Sequence, residues 1–134
     1  MNAKPAEGKL SATGRSNVTS YHPEPYEETD GFVMAVANVA EEFSGDMVGT
    51  GSARLILATE SASGDMHFTG VERFTGKLGG KSGSFLFENS GTLKDGALKS
   101  VWRIIPGSGT GALKGLRGET ESDPNGYRLT YWFV

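Results

Sequence analysis

The sequence predicts an all-β fold: a small antiparallel β-barrel of about eight strands with little or no helix. Three observations carry this. Apolar and polar residues alternate at period two in several short runs, most clearly in Met66–Gly91, MHFTGVERFTGKLGGKSGSFLFENSG. The 20 glycines, about twice the usual ~7 % share, are spread between such runs rather than gathered in one linker. The spacing Thr75-Gly76-x-Leu78-x-Gly80-x-x-Gly83 also recurs as Thr110-Gly111-x-Leu113-x-Gly115-x-x-Gly118.

Taken in order, residues 1–9 form a flexible N-terminal tail, polar and without periodicity, and residues 10–134 a single barrel domain. Leu10–Tyr21 alternates weakly and is the first strand. His22–Gly31 carries Pro23 and Pro25, each of which removes a backbone donor, so a crossing loop or plug is expected there. Phe32–Phe43 is rich in Ala and Val, but Ser44-Gly45-Asp46 stops it at strand length. Gly49–Thr59 places Gly49, Gly51, Ala53, Leu55 and Leu57 on one face. Ser61–Asp65 turns the chain into the central hairpin. There Phe68, Gly70, Glu72 and Phe74 share one face, and Phe85, Phe87 and Asn89 share one on the return strand. Lys94-Asp95-Gly96 is a tight turn of the kind that favours positive φ. Leu98–Ile105 follows, with Trp102 and Ile104 on one side. Gly111–Glu119 is expected as a short seventh strand. Asp123-Pro-Asn-Gly126 turns into Tyr127–Val134, whose Tyr127, Leu129, Tyr131 and Phe133 face one way. Eight strands close a barrel wide enough for its own side chains or one small ligand, and closure removes exposed strand edges.

Composition narrows the function classes. Thirteen basic residues stand against 16 acidic ones, net −3, with no basic run, so no nucleic-acid partner is expected. The absence of Cys excludes disulfides, zinc thiolates and thiol catalysis. No apolar stretch approaches the ~18 residues of a membrane span, and Met1–Lys9 has no apolar leader segment. A cytoplasmic protein without membrane association is the expectation.

Several motifs fail on inspection. Gly80-Lys81-Ser82 resembles the end of a phosphate-binding loop, but Gly76 is one residue too close and strand follows where a helix is required. Gly107-Ser-Gly109-Thr-Gly111-Ala112 fits a permissive dinucleotide pattern, yet Gly115 and Gly118 interrupt any following helix. His22 and His67 lack a second ligand at i+2 or i+4, so no metal site is read, and no cofactor is implied. Glu27-Glu28 and Glu41-Glu42 are not acid–base dyads as they stand, because strand neighbours point to opposite faces.

Glu72 differs from these. If the Phe68/Phe74 face is the inner one, Glu72 is a carboxyl among aromatic rings, and desolvation makes it the candidate catalytic acid or base. Phe68, Phe74, Phe85, Phe87, Asn89, Trp102, Tyr127 and Tyr131 are the candidate ligand-binding residues around it. The competing reading pairs Glu72 with an arginine such as Arg103 as a structural link between strands.

Phe43-Ser-Gly-Asp46, Gly70-Val-Glu-Arg-Phe-Thr-Gly76, Gly80-Lys-Ser-Gly-Ser-Phe85 and Pro106-Gly-Ser-Gly-Thr-Gly111 with Gly115-Leu-Arg-Gly118 together resemble the bacterial domain-of-unknown-function family 3224, as does Pro25-Tyr26-x-Glu28. The likeness spans about residues 11–134. The chain departs from that pattern at Tyr21, where Trp is expected, and at Asn89, where His is common. The Gly-Thr-Gly-x-Leu-x-Gly-x-x-Gly block is also similar to one in allene oxide cyclases and dirigent proteins. That similarity implies an eight-stranded barrel, an inner pocket and an oligomer; it carries no catalytic residue across.

Two function classes remain. One is a binder of a small apolar or amphipathic molecule inside the barrel, extending to a cofactor-free isomerase or cyclase. The other is a non-enzymatic interaction or assembly protein with a solid core. A homo-oligomer, dimer or trimer, is expected in either case, with Val71, Val101 and Trp132 on outer faces.

Overall fold

The computed structural model describes residues 8–134. The tail expected over 1–9 therefore lies, up to residue 7, outside the described residues. Eight strands run in chain order around a closed antiparallel barrel: β1 (Leu10–Thr29), β2 (Phe32–Gly45), β3 (Met47–Glu60), β4 (Met66–Leu78), β5 (Lys81–Lys94), β6 (Ala97–Ile104), β7 (Leu116–Asp123) and β8 (Gly126–Phe133). Each pairs with the next, and β8 closes on β1 through the rungs Leu10–Tyr131 to Gly14–Tyr127. The inner face follows the expected alternation: Phe68, Glu72 and Phe74 on β4, Phe85, Phe87 and Asn89 on β5, and Trp102 and Ile104 on β6 are all buried.

Two expectations are corrected. His22–Gly31 is mostly strand, not a crossing loop: β1 continues to Thr29, with Pro23 opposite Ala37 and Pro25 opposite Ala35. Beyond Gly14 the far flank of β1 has no partner strand among the described residues, which is where a residue without an N–H is tolerated. Bulges between Val18 and Ser20 and between Pro25 and Glu27 adjust the register. The second correction concerns Gly111–Glu119. Gly111–Leu113 is one 3-10 turn, and β7 starts only at Leu116. Gly115, at φ 86° and against the Val134 carbonyl, prevents extension through this point.

The loop before β7 closes the base of the barrel. β6 covers β5 only from Phe87 onward, and the loop occupies the edge left bare. Ser84 N–H donates to Thr110 Oγ1 at 3.0 Å, Leu86 N–H to Ser108 Oγ at 3.0 Å, and Thr110 N–H to the Ser84 carbonyl at 2.8 Å. Leu113 is thereby driven inward beside Met47, Leu78 and Leu116, all without solvent exposure. Above this plug, six aromatic side chains form a closed circuit. Centroid separations are 5.3 Å (Phe43–Phe74), 5.2 Å (Phe74–Phe85), 5.9 Å (Phe85–Phe87), 4.9 Å (Phe87–Trp102), 5.8 Å (Trp102–Tyr127) and 6.2 Å (Tyr127–Phe43). Such edge and tilted contacts add to simple area burial. The lower half of the barrel is therefore solid.

The upper half is not. β1 to β5 are 13 to 20 residues long, β6 to β8 only 8 each. Above the β7–β8 turn no strand of the described residues stands between β6 and β1, so their wall is open on that side. The remaining wall is lined by Ala35, Ala37, Val39, Ala53, Leu55, Leu57 and Phe68, a second cluster dominated by small or branched side chains. No helix among the described residues is long and apolar enough to cross a membrane.

Candidate functional site

Small inner residues on β2 and β3, with no strand between β6 and β1, leave a cavity of about 340 Å³ above the aromatic circuit. Leu55, Leu57, Phe68, Met66, Leu93 and Val39 supply much of its apolar wall. Val18, Tyr21 and Leu98 also line it, at 45, 44 and 44 % exposure, and so mark its mouth. An opening edged by apolar side chains gives an apolar molecule a continuous path inward.

Polar groups gather at the floor. Glu72, 1 % exposed, projects inward from β4 between Ala53 on β3 and Phe87 on β5. Its Oε1 accepts a hydrogen bond from Asn89 Nδ2 at 3.3 Å. Glu41, from β2, lines the same cavity, and its carboxyl is near enough to act on that of Glu72. β2 and β4 do not pair; β3 runs between them, with Gly51 opposite Glu41. A Cβ built at Gly51 would overlap Glu72 Oε2 and crowd the Phe43 ring, so glycine leaves the space the carboxyl occupies. A like charge close by disfavours the ionised form of a buried carboxyl. Burial, then the hydrogen bond with Glu41 and its charge, push the Glu72 carboxyl up to about 10, against a smaller opposing effect of Asn89. Glu72 is therefore a neutral acid at pH 7.

The floor is short of donors. Glu72 Oε2 and Asn89 Oδ1 are buried and have no hydrogen-bond partner among the described residues. Among the described residues, the titratable ones lining the cavity are Glu41, Glu72 and Tyr21, with no Lys, Arg or His. Burial raises the Tyr21 phenol above its ordinary value, so it too is neutral.

The residues singled out from the sequence divide between the two halves. Glu72, Phe68, Asn89 and Trp102 border the cavity. Phe74, Phe85, Phe87, Tyr127 and Tyr131 are packed in the lower core. Tyr127 fastens the β2–β3 turn, because its hydroxyl donates to the Ser44 carbonyl at 2.7 Å and accepts from Met47 N–H at 2.9 Å. Arg103 pairs in register with Glu88 and is exposed, on the side of β6 opposite Trp102, so it is not the partner of Glu72. His22 and His67 are exposed. Glu41 was not singled out, because its partner is two strands away and unrelated in sequence spacing. The available signal was Gly51, an inward position without a side chain. Both departures from the resembled family pattern, Tyr21 and Asn89, line the cavity.

Comparison with known proteins agrees with the architecture. A family model described as protein of unknown function, DUF3224, matches residues 12–134. A solved structure from Shewanella oneidensis MR-1, itself a protein with unknown function from that family, shares the fold. It is 23 % identical, with a TM-score of 0.72 over 94 % of this chain and 97 % of that one. No curated protein is significantly similar to the chain. The match over nearly the whole barrel means that this chain belongs to the DUF3224 family.

Proposed function

We propose that the barrel captures a small amphipathic molecule, its apolar body along Leu55, Leu57 and Phe68 and its polar end at Glu72 and Asn89. The observation that carries this reading is the pairing of an apolar cavity of about 340 Å³ with buried polar atoms lacking partners at its floor. Volume and make-up fall within the range of small-molecule sites. An unpartnered buried polar atom costs about 1–3 kcal/mol, which a ligand group would recover.

The same floor supports chemistry without a cofactor. A neutral carboxyl at Glu72 could hand a proton to a bound oxygen while Glu41 accepts one, the exchange that an isomerisation or cyclisation needs. Glu72 is then the catalytic residue and Asn89 orients it. The assembly reading draws support from a different face: Val48, Ile56, Val71 and Val101 are exposed outside the barrel.

Native mass spectrometry of protein incubated with a cell lipid and metabolite extract tests the capture. A bound mass is expected with the natural sequence and should be lost in Leu57→Trp, whose larger ring fills the cavity. No adduct with the natural sequence, or an adduct that Leu57→Trp retains, overturns the reading.

A further inference from the structure

We infer that the molecule taken into the cavity carries an aliphatic amine, whose ammonium group binds beside Glu41 and Glu72. This rests on the capture reading above and names the head group it would accept. Three independent features point the same way.

The first is the hydrogen-bond balance. The floor presents two oxygens without a hydrogen-bond partner, Glu72 Oε2 and Asn89 Oδ1, on side chains 1 and 7 % exposed. An ammonium brings donors only, in three directions from one atom. A ketone or ether would bring further acceptors. A hydroxyl brings a single donor.

The second is charge. Among the described residues, Glu41 and Glu72 are the charged residue types lining the cavity, with no Lys, Arg or His. A carboxylate or phosphate head would meet two carboxyls with nothing to neutralise it. A cation meets carboxyl groups that can serve as its counter-ion. The balance is simple: the amine enters as its ammonium, the Glu72 carboxyl releases its proton to solvent, and the carboxylate so formed becomes the counter-ion. The titratable groups facing Glu72 are Glu41 from β2 and, higher on the wall, Tyr21 from β1. β3, β5 and β6 contribute Ala53, Asn89 and Trp102, none of which titrates.

The third is the aromatic lining. Trp102 and Phe68 border the cavity, and ring faces attract a cation in a site shielded from water.

Three probes of matched body test the inference by titration calorimetry at pH 7: 2-phenylethylamine, 2-phenylethanol and 3-phenylpropanoate. The amine should bind at least tenfold more tightly than the alcohol, and the acid most weakly. Repeating the amine titration in buffers of different ionisation enthalpy should show release of a proton on binding. Glu72→Gln and Glu41→Gln should each remove the advantage of the amine over the alcohol and the proton release. Thermal melts identify any variant that does not fold, and the other variant then carries the test. Equal binding of amine and alcohol, tighter binding of the acid, or an amine advantage that survives in a folded Gln variant overturns the amine and leaves the capture reading standing. Failure of all three probes to bind overturns both.

Discussion

Glu41 and Glu72 meet inside the barrel although their strands do not pair, because Gly51 on the intervening strand leaves the space between them empty of side chain. The contact is a property of three strands in register. One residue of slip in β3 would turn Arg54 or Ser52 inward in place of Gly51 or Ala53.

Gly51→Ala should therefore be costly at a position with ordinary strand geometry. The added methyl would overlap the Glu72 carboxyl and press on Phe43, both buried with little room to move. Overpacking of this kind costs about 1–3 kcal/mol. A urea unfolding midpoint within error of the natural sequence would show that the carboxyl moves aside freely.

Much of the fold was legible in the sequence, and the parts that were not have a common cause. The hairpin from Met66 and the faces of β3, β6 and β8 follow from alternation, a local property. The proline stretch after His22 misled because local chemistry forbids Pro in a paired strand, while the decisive fact is non-local: that flank of β1 has no neighbour. Residues 111–119 misled because Thr110 and Ser108 serve the bare edge of β5, which exists only because β6 starts its pairing at Phe87. The inward position of Glu72 was readable from the parity of Phe68 and Phe74. Its partner Glu41 was not, since a contact across an intervening strand leaves no spacing rule. The division of the aromatics into a packed circuit and a cavity wall depends likewise on strand lengths around the ring.

Tyr127→Phe tests the lower core separately from the cavity. The substitution keeps the ring against Phe43 and Trp102 and deletes a hydroxyl bonded to Ser44 and Met47. Leaving the Met47 N–H and Ser44 carbonyl without that partner should cost about 1–3 kcal/mol. Ligand capture should be unchanged, since Tyr127 lies below the cavity. Chemical unfolding and calorimetry on one sample check both halves, and loss of binding with intact stability would contradict the division.

Self-association is expected through the outer apolar residues. Ile56 and Val71 lie on adjacent strands β3 and β4, about half exposed, and Val101 is similarly exposed on β6. Light scattering at micromolar concentration should give a dimer or trimer mass, and Val71→Lys with Val101→Glu should lower it toward one chain. A single-chain mass for the natural sequence would refute the expectation.

The pH dependence of stability gives the most direct measure of Glu72. Its carboxyl is raised from the ordinary 4.5 to about 10, chiefly by burial. Between those values the folded chain keeps a proton that the unfolded chain has released. The stability gained is fully present below the ordinary value and is lost as pH rises toward the folded one. The slope from one such group is about 1.4 kcal/mol per pH unit, a large share of a typical domain's ~5–15 kcal/mol when carried over several units. Tyr21, raised above 10 by burial, and the likewise raised Tyr127 and Tyr131 stay protonated across most of this window and do not mask it. Glu72→Gln keeps the shape and removes the titration. Urea midpoints at pH 5, 7 and 9 should fall steeply for the natural sequence and much less for the variant, so that the variant gains relative stability as pH rises. Parallel pH profiles would mean that Glu72 titrates near its ordinary value, and the neutral acid at the cavity floor would be lost with it.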